Sequence, residues 1–312
     1  MNIIHKIKRF KQFAANVVAN CREAPVIVLL YHRVCKIEND SQKLAVCPEN
    51  FESQIKFLSN NYPILRFEEA YKHNNKMSFV ITFDDGYYDN FYNALPILKK
   101  HSVPATFFVA SNNIQSGERF WWDKLEEVIL SSKLDLADLN LPFPIPSCRE
   151  DAVVQVQLFL KSFAVEERDK IINRLIDESN TTLTDDNRPM TIAELKELDS
   201  EGLVTIGSHT VNHPQLAALS EEDQKLEIAS GKEQLEKILG HSVDTFSYPF
   251  GNINDFSNVT VKACKQAGIK KAAANFPGQL HSWSDSFNIP RHLVRNWNLN
   301  EFKKQIFRFK FL

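Results

Sequence analysis

The 312-residue sequence predicts an α/β fold in which about seven strand–helix units close, or nearly close, into a parallel barrel that carries a helical insertion. Three observations predict it. Near-continuous apolar runs rich in Val, Ile and Phe recur along the chain, as expected of strands buried on both faces of a parallel sheet. Stretches with helical spacing alternate with these runs. Residues 117–190 then break the alternation with a proline cluster, "LPFPIPS", and further helical sequence.

The elements follow in order. "PVIVLLYH" (25–32) and "MSFVITF" (77–83) read as strands, with the helical "PENFESQIKFLSNN" between them. A helix in "DNFYNALPILKKH" leads to a third strand, "ATFFVA". After the insertion come helix "TIAELKELDSEG", strand "LVTIGSH", the long helix "SEEDQKLEIASGKEQLEKILG" and strand "VDTFSYP". Helix "NVTVKACKQAG", strand "IKKAAA" and a last strand "FNIPRHLV" complete the series. The barrel is assigned to residues 25–298, with the insertion at about 117–190 on one of its loops.

Composition narrows the function. With 43% hydrophobic and 24% charged residues the chain is an ordinary globular one, and its net charge of −2 offers no basic surface for nucleic acid. Five cysteines without a CxxC pair argue against a disulfide framework and a thiolate zinc site, and favour a reducing, cytoplasmic setting. No stretch has the form of a signal peptide or a transmembrane helix. At residues 1–24 an amphipathic helix is expected, with Ile3, Ile7, Phe10, Ala14 and Val17 on one face and Lys6, Lys8, Arg9 and Lys11 mostly off it. Residues 299–312 form a similarly basic, aromatic tail. Docking of both termini on the barrel is the expectation, and peripheral contact with the inner face of a membrane is the alternative. No obligate protein partner is inferred.

Three motifs fall at the C-terminal ends of expected strands, the edge where parallel barrels place their active sites. They are Asp84-Asp85-Gly86, "SHTVNHP" with His209 and His213 four apart, and "SYPFG" (247–251). Two imidazoles and a carboxylate suit Zn²⁺, and with less selectivity Co²⁺, Fe²⁺ or Ni²⁺. Either an HxxxH or a DDG alone has an ordinary alternative, an exposed helical pair or a turn. Their coincidence at strand ends points to a metal centre.

"TFDDG", "SHTVNHP" and "SYPFG", in that order, resemble the first three signature motifs of the polysaccharide deacetylase family, also called NodB-homology or carbohydrate esterase family four. "LLYHRV", "YPFG" and "IPRH" resemble the branch containing poly-N-acetylglucosamine deacetylases. The resemblance implies a distorted (β/α)7 TIM-like barrel that removes an N-acetyl group from an amino sugar of a glycan or lipid-linked saccharide, using a divalent metal. It also implies Asp84 as catalytic base acting on a metal-activated water, Asp85, His209 and His213 as metal ligands, and the Phe250 backbone N–H as an oxyanion donor.

Two departures stand out. Ser247 occupies the place where the family carries an arginine that orients the base, and Arg291 in "NIPRH" is the candidate substitute. The family's late Leu-x-His is absent, so His32 at the end of the first strand is the candidate acid, while His292 should face the other way by strand alternation. Trp122 and Tyr248 are candidates for a sugar-stacking wall. Adjacent Trp121 and Trp122 should not both face one way, so one of them is expected in the core. Alternatives to deacetylation are deformylation of a lipid-linked amino sugar and a catalytically inactive carbohydrate-binding barrel.

Overall fold

The computed structural model describes residues 15–71, 75–130, 142, 144–179, 181–184 and 187–311. Seven parallel strands form one curled sheet: β1 (Val26–Tyr31), β2 (Ser78–Phe83), β3 (Ala105–Val109), β4 (Val204–Ser208), β5 (Thr245–Ser247), β6 (Lys271–Ala273) and β7 (His292–Leu293). Their order across the sheet is β6-β5-β4-β3-β2-β1-β7. Tyr31 pairs with Phe83, Val109 with Ser208, and Ser208 with Phe246. The chain therefore leaves β1, β2, β4 and β5 along one edge, where His32, Asp84, His209 and Tyr248 begin the following loops.

Both faces of this sheet are buried, which is why its strands read as continuous apolar runs. Val26, Val28, Val80, Phe108, Ala273 and Ile289 pack together inside the curl. Their neighbours Ile27, Leu29, Tyr31, Phe79, Ile81 and Phe107 point outward into the larger core under the helices. Alternation along each strand thus divides two cores rather than core from solvent.

The curl is a half-barrel whose two edges are joined by a single irregular segment. Ile289 N–H donates to the Ala272 carbonyl and Ala274 N–H to that of Ile289, so residue 289 extends the β6 edge. Three residues later β7 pairs with β1 at Leu29↔His292 and Leu30↔Leu293. The expected last strand, "FNIPRHLV", is therefore split between the two edges. Pro290 lies at the split, where its missing N–H cannot continue a ladder.

Around the sheet lie α1 (described over 15–22), α2 (Pro48–Asn61), α3 (Leu95–His101), α4 (Ser111–Ser116), α5 (Trp121–Leu130), α6 (Arg149–Leu160), α7 (Val165–Ser179), α8 (Ile192–Ser200), α9 (Glu221–Leu239), α10 (Asn258–Gln266) and α11 (Leu299–Phe309). Helices α5, α6 and α7 share a core of their own, which includes Leu125, Val153, Val156 and Leu175 and meets the barrel at Tyr87 and Ala110.

The C-terminal tail is a helix, α11, begun by an Asn298–Glu301 capping box. It buries Phe302, Ile306 and Phe309 and leaves Phe307 exposed. Asn20 of α1 donates to the Lys310 carbonyl at 2.9 Å, joining the two termini. Ile3, Ile7, Phe10, Ala14 and the cations Lys6, Lys8, Arg9 and Lys11 lie outside the described residues. Among the described residues no helix is long and apolar enough to cross a membrane, and all five cysteines are free.

One glycine sets how closely α9 approaches the sheet edge. A Cβ on Gly231 would stand 2.7 Å from the backbone carbon of Thr210, in the loop that carries both motif histidines. Gly231→Ala should therefore lose about 1–3 kcal/mol through overpacking, despite alanine's better helix propensity. Urea unfolding measures this, and an unchanged midpoint would contradict the packing assignment.

Candidate active site

The three motif loops share an unusual backbone. Asp85, Thr210, His213 and Phe250 are non-glycine residues with φ of 76°, 68°, 51° and 60°. Such left-handed positions cost roughly 1–3 kcal/mol each and persist where surrounding bonds over-determine them. The bonds are present. Gly86 N–H donates to the Asp84 carbonyl and Ala110 N–H to that of Asp85. In the histidine loop, Glu227 of α9 accepts from Val211 N–H at 3.0 Å and Asn212 N–H at 2.9 Å, and from the Asn212 amide at 2.7 Å. His213 N–H donates to Thr210 Oγ1.

The adjacent carboxylates of the DDG turn have separate partners. Asp84, 4% exposed, is held in a two-pronged bond by Arg291, with Nη1 to Oδ1 at 2.7 Å and Nη2 to Oδ2 at 2.6 Å. Arg291 is itself fixed by Nε donating to the Ala274 carbonyl at 2.7 Å and Nη1 to Thr82 Oγ1 at 3.3 Å. Ser247 Oγ sits between the two groups, accepting from Nη2 at 2.7 Å and donating to Asp84 at 3.2 Å. Burial alone would raise the Asp84 pKa, but Arg291 and His209 together bring it well below the usual carboxylate range.

Asp85 faces the imidazoles instead. Its Oδ1 is 3.6 Å from His209 Nε2 and 3.5 Å from His213 Nε2. A tetrahedral cation about 2.0–2.1 Å from each atom needs them roughly 3.3–3.4 Å apart, so the donor set fits such an ion. Asp85, His209 and His213 are also the described trio whose ligand atoms all lie within 4.8 Å of one another. His209 Nδ1–H donates to the Ser247 carbonyl at 2.7 Å, which leaves the Nε2 lone pair facing Asp85. Burial and His209 push the His213 pKa down to about 3, keeping that ring neutral. Burial opposes charge on His209 too, but Asp84 and Asp85 outweigh it and raise its pKa.

These groups open onto a cavity of about 220 Å³, lined also by His32, Trp121, Trp122, Phe250 and Arg295. His32 Nδ1 is buried there without a partner among the described residues, and burial lowers the ring's pKa. The structure thus gathers Asp84, Asp85, His209, His213, His32 and Phe250 on one cavity, with Arg291 buried behind Asp84. The Phe250 N–H has no acceptor among the described residues.

Other expectations need correction. Tyr248 is fully buried, stacked on Phe256 at 3.9 Å with its hydroxyl on the Phe287 carbonyl, and does not line the cavity. It alternates with Ser247, whose hydroxyl points inward to Asp84, so it must point outward. Both tryptophans are buried in the core of α5–α7, and both also line the cavity, where only one was expected to face it: they open the first turn of α5, which lies across the mouth. Trp122 is not a free stacking wall, since its ring is occupied by Phe120 at 4.9 Å and His213 at 4.5 Å. Its Nε1–H donates to Tyr87, whose hydroxyl donates to buried Asp123. His292 faces away, with Nε2 on the Gly278 carbonyl and its ring on Phe309.

Sequence reasoning missed Glu227, Gly231 and the Tyr87–Asp123 brace. Gly231 carried the only signal, a glycine amid a long helical run.

Comparison with known proteins follows the same order of motifs. The profile described as "Polysaccharide deacetylase" matches residues 71–134 and 159–272, leaving most of α6 unmatched. The chain is 24% identical over 264 residues to YxkH of Bacillus subtilis (strain 168), assigned to the polysaccharide deacetylases, covering 82% of this chain and 67% of that one. It is 23% identical over 312 residues to the poly-beta-1,6-N-acetyl-D-glucosamine N-deacetylase of Staphylococcus aureus (strain MSSA476), covering 89% and 84%. Among solved structures, the Streptococcus pyogenes deacetylase PplD has the same fold, with a TM-score of 0.61 at 19% identity over 91% of this chain and 98% of that one.

Replacing Arg291 tests the ion pair. Arg291→Gln leaves a buried carboxylate without its cation and should cost about 3–5 kcal/mol at neutral pH. Because the folded pKa of Asp84 is depressed, its stabilisation is complete above about pH 4 and is lost as pH falls below that. The variant should lack this acid-side loss. Urea midpoints measured from pH 3 to 7 check both, and superimposable profiles would contradict the pairing.

Proposed function

The chain belongs to the polysaccharide deacetylase family, and from that membership we propose that it hydrolyses the N-acetyl group of an amino sugar in a glycan or lipid-linked saccharide, with a divalent cation on Asp85, His209 and His213 and with Asp84 as base. The division of two neighbouring carboxylates between a guanidinium and a pair of imidazoles is the observation that carries this reading. The named activity of the Staphylococcus aureus relative supports an N-acetylated amino sugar as substrate.

Two imidazole nitrogens with one carboxylate oxygen favour Zn²⁺ over harder ions. Such a cation, when bound, would acidify a water and polarise the acyl oxygen. Asp84 is held ionised by Arg291, which makes it a weak base. It can take a proton only from a strongly acidified donor, so turnover depends on the cation. Ser247 and Arg291 fix both carboxylate oxygens and limit the directions from which that proton can arrive.

The Phe250 N–H, presented on a left-handed turn at the cavity wall, is the proposed donor to the acyl oxygen as it gains negative charge. His32 is proposed to pass to the departing amine the proton that the attacking water gives up. Burial lowers its pKa, which keeps it neutral at rest and makes it a strong acid once protonated.

Asp84→Asn is expected to retain the cation and lose acetate release from N-acetylated glucosamine oligomers by about 10²-fold or more, since a neutral amide cannot accept the proton. Chelator treatment of the unsubstituted protein should abolish release, and Zn²⁺ should restore it. Metal content with acetate assay reads both effects. Equal turnover in Asp84→Asn would remove Asp84 from its role, and bound metal with no release from any N-acetylated or N-formylated sugar would favour a binding protein.

A further inference from the structure

A second cavity, of about 320 Å³, lies on the other side of the Trp121–Trp122 wall and shares His213 with the first. Its walls come from α4, α5, α7 and the histidine loop, through Asn112, Arg119, Lys124, Arg168, Asn173 and Asn212 among others. Two features distinguish it. The first is a concentration of buried donors without acceptors among the described residues: Arg119 Nε and Nη1 and Trp121 Nε1, together with Nδ1 of His213, whose Nε2 faces Asp85. A buried donor that has lost water without gaining an acceptor is destabilising, so such a cluster favours an occupant that supplies acceptors.

The second feature is the placement of charge. Three ion pairs bound the cavity, Arg119–Glu127, Lys124–Glu118 and Arg168–Asp169. In each, the cation is the more buried member. The side chains of Arg119, Lys124 and Arg168 are 9%, 19% and 5% exposed, against 20%, 64% and 46% for Glu127, Glu118 and Asp169. Glu118 and Asp169 also line the cavity, but on its more exposed parts, where water screens them, while the cations are set deeper. Arg168 also lies over the Trp121 ring at 4.9 Å, holding the indole between the two cavities.

We propose that this second cavity binds an oxyanion, a phosphate or carboxylate group, on Arg119, Trp121 Nε1–H and Arg168. The group is carried either by a saccharide that spans the tryptophan wall or by a free small anion. Arg119 gives its Nη2 to Glu127, and its Nε and Nη1 remain as separate charged donors, each able to bond one anion oxygen. Because the readout is binding and not turnover, the inference stands apart from the hydrolytic reading.

Calorimetric titration of metal-loaded protein with inorganic phosphate tests it. The unsubstituted protein should bind at millimolar concentration, and Arg119→Gln should bind about tenfold or more weakly. Trp121→Phe keeps the ring, loses only the N–H, and should bind about fivefold more weakly, which serves if Arg119→Gln does not fold. N-acetylglucosamine 1-phosphate identifies the source: tighter binding than that of both phosphate and N-acetylglucosamine, lost in Arg119→Gln, indicates a saccharide-borne anion, and binding equal to phosphate indicates a free one. No phosphate binding, or binding undiminished in the folded variants because the anion sits on the metal instead, would overturn the site.

Discussion

The two-pronged bond between Arg291 and Asp84 is the interaction on which the rest of the site depends. Two ionised carboxylates on neighbouring residues, both almost fully buried, cannot coexist without separate countercharges. Arg291 neutralises one and leaves the other to the imidazoles. Without it, Asp84 would take a proton or compete with Asp85 for the histidines, since its Oδ2 is already 3.9 Å from His209 Nε2. The guanidinium arrives from the segment that joins the two edges of the curled sheet. The irregular closure at Pro290 is therefore what delivers the cation to the middle of the barrel, and Ser247 is small enough to make room for it.

The same site concentrates the strain of the fold. Four left-handed non-glycine residues lie in the three motif loops, and each loop is tied down from outside. The histidine loop is clamped by Glu227 and pressed by the bare face of Gly231. The first strand's loop is tied to the second's by Asp89, which accepts from Val34 N–H and Arg33 Nε, and by Asn90, which donates to the His32 carbonyl. Asn90 begins a short π-helical turn, an irregularity common beside functional groups.

Much of this was legible because burial on both faces leaves a plain mark. β1 through β3 are apolar almost without interruption and β4 is buried at four of its five positions, so their order and their C-terminal ends could be read directly, and the paired aspartates and spaced histidines fell at those ends. β7 was not legible as a two-residue strand, because its pairing depends on a switch of edges at Pro290 that only the closed curl requires. Tyr248 illustrates a different failure: an aromatic after a strand does not declare its face. Ser247 held the information, since a hydroxyl directed to Asp84 forces its neighbour outward. Glu227 was invisible for a simpler reason, because a glutamate on a long amphipathic helix looks like any solvated one. Most of α6 has no counterpart in the matched profile, and its contribution to the cavity wall through Val154 and Gln157 came only from the three-dimensional arrangement.

The most direct measurement is X-ray absorption at the zinc edge on protein loaded with one equivalent of Zn²⁺. The account requires two imidazole nitrogens and a single carboxylate in the coordination sphere, with the spectrum unchanged in Asp84→Asn and one imidazole lost in His213→Ala. A sphere containing both aspartates, or none of the imidazoles, would contradict the separation of the two acids.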